Sequence, residues 1–396
     1  MTILLIELET KGHHVSSYLR SIVLDLINKK KKIILLTSRD IKKNAYFSFF
    51  KKHTKLIFIN KINYPIKNNF FSLIAFQFNN YKVIKKNYDQ LRKNEKINYI
   101  YINTLDFLDK PLSILGSPFG KTKFSGLYLN PKFYIKYNNP FTNLIKSKLY
   151  LFLFRKILKI NELSNIFIVD PLCVRFLNKT KSHNHKKIIA INDLGSSNKM
   201  KNLKLTKSEC RKILKINNNN FIILVYGYIR KNKSLNELLN VINHLKTVKP
   251  VKILIVGKRD EYIKKYLKKA IHNDRKLASK IININRYSDD MFEKIVFKAS
   301  DLTWTGYTKD FYGSSGVYFL SSINFRPVIS SNHGAIGWYS RKYKIGYSID
   351  LTNEKKLIHL LNKIINFNKR INYDFNHVNS RHNFKNFGSN ICVNFK

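Results

Sequence analysis

Two glycine-bearing turns and one carboxylate carry the side chains of this sequence best suited to chemistry. Tyr312-Gly313-Ser314-Ser315-Gly316 follows an apolar run that passes through Asp301 and Trp304, and it opens a helical segment, 317–324, closed by Pro327. The second turn, Gly227-Tyr228-Ile229-Arg230-Lys231-Asn232-Lys233-Ser234, joins the unbroken apolar run 221–226 to a helix bearing Leu235, Leu238, Leu239 and Ile242. The first N–H groups of a helix have no partner inside it and the helix dipole is positive there, so such a turn suits a phosphate. The plainer readings are an N-cap for the first turn and a basic surface loop for the second. Asp106, in Asn103-Thr104-Leu105-Asp106, falls just past the carboxyl end of a strand, where open α/β sheets place ligands. It is the candidate catalytic carboxylate, with the N-cap of the next helix as the alternative.

These residues need a sheet beneath them, and the apolar pattern supplies one on each side of the chain's middle. Strand 2–6, the loop Gly12-His13-His14, a helix with Tyr18, Leu19, Ile22, Val23, Leu26 and Ile27 on one face, and strand 33–37 form a first strand, helix, strand unit. Strands over 55–60, 97–103 and 165–170 and a helix over 81–93 continue the alternation, which argues for a parallel sheet. The stretch 116–134 reads as a turn-rich connection with exposed aromatics, with a plain strand and turn as the alternative. The helix 141–160 has an apolar face interrupted by Lys146, Lys148, Arg155, Lys156 and Lys159, which fits either a packed core helix or one lying on a membrane surface. After an unpatterned linker, 195–205, the capping box Thr206-Lys207-Ser208-Glu209 starts the second half. There strands over 221–226, 251–256, 281–284, 328–331 and 346–350 alternate with helices, Gly334 and Gly337 mark a loop, and a helix covers 354–367. The expected organisation is a first domain over 1–194, a second over 206–370, and a tail, 371–396.

Composition narrows the partners. The 396 residues are 44% hydrophobic and 13% aromatic, enough to bury two cores. The net charge of +49 favours polyanions, anionic lipid or phosphorylated substrates. Nucleic acid is not expected, because the lysines are dispersed and no zinc-finger spacing, aromatic RNA-binding motif or basic tail is present. Cys173, Cys210 and Cys392 are odd in number and far apart, which fits a reducing cytoplasm. The opening apolar run meets Glu7 and Glu9 at once, so it reads as a strand and not a leader, and no window is long enough to span a bilayer.

The spacing of Asp301, Tyr307, the Ser314-Ser315-Gly316 turn, its helix and Arg326-Pro327-Val328-Ile329 resembles the donor end of group-1 glycosyltransferases. The turn 227–234 resembles that family's Gly-x-x-x-x-x-Lys-Gly signature, with Lys233 on the lysine and Ser234 in place of the glycine. The resemblance is continuous over 206–350 and thinner before. It implies a GT-B fold, two Rossmann-like α/β domains facing across a cleft, and transfer of a sugar from a nucleotide-sugar donor to a saccharide or lipid-linked acceptor. The donor-binding residues it implies are Gly227, Arg230, Lys233, Tyr307, Ser314, Ser315 and Gly316. It puts Gly12 and His14 on the acceptor side and makes His13 a catalytic candidate beside Asp106. No cofactor and no metal are implied, since basic side chains and a helix end can neutralise the diphosphate. One departure stands out. Many members carry two glutamates eight positions apart, and those positions here hold Tyr312 and Leu320, as in a subgroup with Ser-Ser-Gly-Val. That leaves open whether the anomeric configuration is retained, and it admits a binding protein that has lost catalysis. The implied setting is cell-surface polysaccharide or glycolipid assembly, in the cytoplasm or on the inner face of a membrane.

Overall fold

A computed structural model of the chain describes residues 1–10, 14–60, 64–65, 70–131, 133–134, 140–180, 187–194, 203–367 and 373–395. The chain divides into two compact units, Met1–Ser197 with Asn383–Lys396, and Asn198–His382.

The first unit holds seven strands: β1 (Thr2–Glu7), β2 (Lys32–Ser38), β3 (Lys55–Ile59), β4 (Tyr99–Ile102), β5 (Phe124–Tyr128), β6 (Leu163–Ile168) and β7 (Ile188–Ala190). They lie in the order β3-β2-β1-β4-β5-β6-β7, with every pair parallel. A parallel sheet flanked by helices on both faces must be apolar on both, which is why β1 and β4 are continuous runs and not alternations. Ile3 and Leu5 pack on the helix Arg20–Asn28, and Leu4 and Ile6 belong to the opposite core with Tyr81, Ile84 and Tyr88. The helix Phe384–Cys392 packs on Arg20–Asn28, burying Phe387 and Ile391 against Tyr18 and Ile22. Ser21 Oγ donates to Phe384 O at 2.6 Å. The tail therefore divides: Phe375–Arg381 stays with the second unit and Asn383 onward joins the first.

The second unit holds β8 (Phe221–Tyr226), β9 (Val251–Val256), β10 (Ile281–Ile284), β11 (Leu302–Thr305), β12 (Val328–Ser331) and β13 (Gly346–Ile349), all parallel in the order β10-β9-β8-β11-β12-β13. Both sheets thus carry the doubly wound order in which the chain returns to the first strand and continues on its other side. The reversal falls between β1 and β4 in the first unit and between β8 and β11 in the second. The capping box forms as expected: Thr206 Oγ1 accepts from Glu209 N at 3.2 Å and a Glu209 carboxyl oxygen accepts from Thr206 N at 2.6 Å.

Two expectations need correction. The stretch 116–134 is not a connection with exposed aromatics, because Phe124–Tyr128 is a wholly buried central strand with Phe124 and Tyr128 in the core. The plainer strand-and-turn reading is the one that holds; Ser125 and Gly126 break the apolar run and Lys121 and Lys123 precede it, which favoured the loop. Gly334 and Gly337 do not mark a loop; they lie in the helix Gly334–Tyr343. A Cβ on Gly337 would sit 2.4 Å from the backbone carbon of Asn332, so glycine serves close approach here and not chain breaking. The helix expected over 81–93 runs longer, Phe70–Asn94. Most of the proposed linker, 195–202, lies outside the described residues.

Candidate functional site

Strand ends at a reversal point splay their following loops to opposite sides, leaving a crevice. In the second unit the crevice is bounded by Gly227 after β8 and by Gly306-Tyr307 after β11. Gly227 takes a positive φ of 94°, which turns the chain sharply off the strand, and its N–H donates to Val256 O at 3.0 Å. The loop then returns Lys233 beneath itself. That side chain is only 7% exposed, its Nζ donates to Tyr226 O at 3.1 Å, and it lies 5.3 Å from the centre of the Tyr307 ring. Among the described residues no carboxylate pairs with it.

Tyr307 is held in turn. Its hydroxyl lies 2.9 Å from Ser315 Oγ, and its ring stacks on Phe311 at 4.0 Å between centroids. Ser315 stands at the N-cap position of the helix Gly316–Ile323, yet its side chain makes no capping bond, being turned to Tyr307. The opening N–H groups of that helix are left to other partners. A Cβ on Gly227 would be 3.5 Å from Val317 Cγ2 and 3.9 Å from Lys233 Nζ, so both turns converge on one place. The structure thus brings together Gly227, Lys233, Tyr307 and Ser315, with Ser314 and Gly316 adjoining in the chain. Arg230 stands apart: it is exposed, with its guanidinium 4.7 Å from the centre of the Tyr228 ring.

Asp301 has a different job. Its carboxylate accepts from Lys207 Nζ, from Arg211 Nη2 at 2.7 Å and from Ile222 N at 2.7 Å, joining the first helix of the unit to the start of β8. Ser234 occupies the left-handed region at φ 44°, ψ 39°, a conformation that glycine adopts without strain. The resemblance places a glycine there, and the backbone gives the reason.

In the first unit the reversal point holds Glu7, which the sequence reading used only to end a strand. Glu7 is wholly buried at the end of β1. It accepts from Glu9 N at 2.7 Å, from Thr104 Oγ1 at 3.1 Å and from Asn103 Nδ2, and burial pushes its carboxyl up to about 7. Asn103 Nδ2 also donates to His14 O at 3.1 Å, tying the backbone after the Gly12-His13 loop to the end of β4. Gly12 and His13 themselves lie outside the described residues. Asp106 follows one turn on and spends both carboxyl oxygens on backbone, accepting from Leu129 N at 2.8 Å and Asn130 N at 2.7 Å. Burial outweighs those two bonds and holds it at about 6. Sequence reasoning also missed Trp304, whose Nε1 donates to Lys233 O at 3.0 Å, and Glu293, which accepts from Tyr226 Oη at 2.8 Å and which burial raises to about 7. A lone acid closing an apolar strand was the available signal for Glu7; nothing in the spacing points to Glu293.

Among the described residues no group of three or more His, Cys, Asp or Glu is arranged to hold a metal, and no helix is long and apolar enough to cross a membrane.

Two doubly wound parallel sheets, together with the likeness to the solved structures below, place the chain in the GT-B class of folds. Similar solved structures include HepE of Anabaena in complex with UDP, 13% identical, with 99% of each chain covered and a TM-score of 0.69. The same protein in complex with UDP-glucose gives 13% identity, 99% of this chain and 98% of that one, and 0.66. Sucrose-phosphate synthase of Thermosynechococcus elongatus is 12% identical over 99% of this chain and 97% of that one, with 0.70. At these identities the likeness is one of fold. Comparison with curated protein sequences gives no match. Residues 206–388, a little under half of the chain, match the family described as glycosyl transferases group 1.

Proposed function

We propose that this protein transfers a sugar from a nucleotide-diphosphate sugar to an acceptor hydroxyl. The observation that carries the reading is Lys233, a cation buried at the reversal point of the second sheet with no carboxylate partner among the described residues. A buried ammonium without a counter-ion is costly unless an anion arrives to pair with it. The donor's diphosphate is that anion in this account, held by Lys233 and by the N–H groups that open the helix Gly316–Ile323. Gly227 lets its backbone approach, and Tyr307 fixes Ser315 at the helix end.

As the bond from the sugar's anomeric carbon to the diphosphate breaks, charge builds on the leaving oxygens, and donors already aimed there bind it more tightly than the ground state. The acceptor oxygen forms the new bond and gives up its proton, for which Asp106 and His13 are the assigned bases, with Gly12 and His14 as neighbours on the acceptor side. Arg230 is assigned to the outer edge of the donor site. A hexose as the sugar and neutralisation without a metal complete the reading. Relatives solved with UDP and UDP-glucose make uridine the first base to test.

Work on a lipid-linked acceptor in polysaccharide or glycolipid assembly, at the inner face of a membrane, is the cellular setting we assign. It is supported by the helix Pro140–Leu158, which exposes Ile145, Leu149 and Phe152 beside Lys146, Lys148 and Arg155. A thermal-shift screen against UDP, GDP and ADP tests the donor site, since a ligand of the folded state raises the midpoint. A shift from one diphosphate that Lys233→Ala abolishes supports the reading; no shift from any of them contradicts it.

A further inference from the structure

The groove between the helix Glu261–Asn273 and the edge strand β10 contains a buried cation that the donor site does not use. Arg259 is 5% exposed, yet its guanidinium meets only neutral oxygens. Nη1 donates to Gly257 O at 3.1 Å, Nη2 donates to Ile255 O at 3.2 Å and to Asn283 Oδ1, and Nε is buried without a partner. A buried guanidinium ordinarily has a carboxylate beside it, because desolvating the charge is costly. Arg211 of the same unit, 4% exposed, shows that usual solution in its bond to Asp301.

Arg259 bounds a cavity of about 470 Å³ that Lys268, His272 and Asn283 also line, with Leu267 and Ile271 as apolar wall. No carboxylate lines it. Of the nearby acids, Glu261 pairs with Lys264, itself a lining residue, Asp260 caps the helix by accepting from Ile263 N at 2.8 Å, and Asp274 accepts from Leu277 N at 2.9 Å. Lysines on a surface of this charge would say little alone. A buried, uncompensated arginine behind them says more. The volume is that of a small-molecule site and not of a polymer groove.

We propose that this groove binds a phosphomonoester of sugar-phosphate size, its phosphoryl group against Lys268 and His272 with the charge of Arg259 behind them, and its carbon frame on Leu267 and Ile271. None of Gly227, Lys233, Tyr307 or Ser315 lines the cavity, and in this proposal it is a site separate from the donor turn.

The test is calorimetric titration of the full chain with glucose 6-phosphate and, separately, inorganic phosphate, each with and without saturating UDP. The expected result is one glucose 6-phosphate per chain, bound with or without UDP, and weakened at least tenfold by Lys268→Glu with UDP affinity unchanged. Arg259→Gln should do the same; if it fails to fold, the exposed positions Lys268 and His272 carry the test through Lys268→Glu and His272→Glu. Inorganic phosphate binding as tightly as the sugar phosphate would overturn the place given to Leu267 and Ile271 and with it the sugar-phosphate size of the ligand. Competition between glucose 6-phosphate and UDP, wild-type affinity in Lys268→Glu, or no binding of either probe at millimolar concentration would overturn the proposal. UDP binding is read independently, so failure here and failure of the donor site are separate results.

Discussion

The hydroxyl of Tyr307 lies 2.9 Å from that of Ser315, joining the loop after β11 to the N-cap position of the helix that follows the glycine-serine turn. The same ring lies 5.3 Å from Lys233 Nζ. One side chain thus positions both halves of the anion site. Tyr307→Phe keeps the ring and its attraction for the ammonium but removes the hydroxyl. A neutral hydrogen bond contributes about 1 kcal/mol, so UDP affinity is expected to fall by roughly fivefold with the fold intact. Titration calorimetry beside a melting curve separates the two effects; unchanged affinity would show that Ser315 needs no such tether.

Ser234 tests the backbone of the second turn. Its left-handed conformation costs an L-residue about 1–2 kcal/mol, while glycine gives back roughly 0.5–1 kcal/mol in the unfolded chain. Ser234→Gly is therefore expected to leave stability unchanged or raise it by up to about 1.5 kcal/mol, and Ser234→Val to lower it. Urea denaturation decides, and equal stability of the two variants would contradict the strain.

Much of this was legible before the structure. Long parallel strands buried on both faces, such as 2–7 and 221–226, announce themselves because nothing polar interrupts them, and Gly227 and Lys233 could be placed by the strand and helix around them. Phe124–Tyr128 was open as a strand, but its complete burial was not legible, because it comes from neighbours that the local sequence does not name. Gly334 and Gly337 misled because glycine permits close packing as well as turning. Arg259 and Glu293 were invisible for a related reason: an isolated charge carries no sign that the fold will bury it.

Asp301 joins three donors, and its removal leaves Arg211 buried without a counter-ion. Asp301→Ala is expected to cost about 3 kcal/mol of stability. Nucleotide affinity in the folded fraction should be unaltered, which a titration below the melting range would show. A large loss of affinity at full stability would give Asp301 a part in the donor site.

Glu7 gives stability a pH dependence of definite sign. Unfolded, its carboxyl titrates near 4.5, and buried at the end of β1 it titrates near 7. Between those values the folded chain holds a proton that the unfolded chain has lost, so stability falls as pH rises from about 4.5 to 7 and is flat for this group above that. The full effect is about 3 kcal/mol. Asp106 and Glu293 act in the same direction. Glu7→Gln should reduce the slope of the urea midpoint against pH by one group's share; an unchanged slope would place the titration elsewhere.

The most direct test of the central claim is turnover: release of nucleoside diphosphate from UDP-glucose and related donors by wild type and Lys233→Ala, with melting curves to confirm folding. The account predicts turnover of at least one donor and a loss in kcat/KM of about a hundredfold or more in the variant, in the range seen when a charge-stabilising donor is removed. Wild-type turnover by a folded Lys233→Ala protein would contradict it.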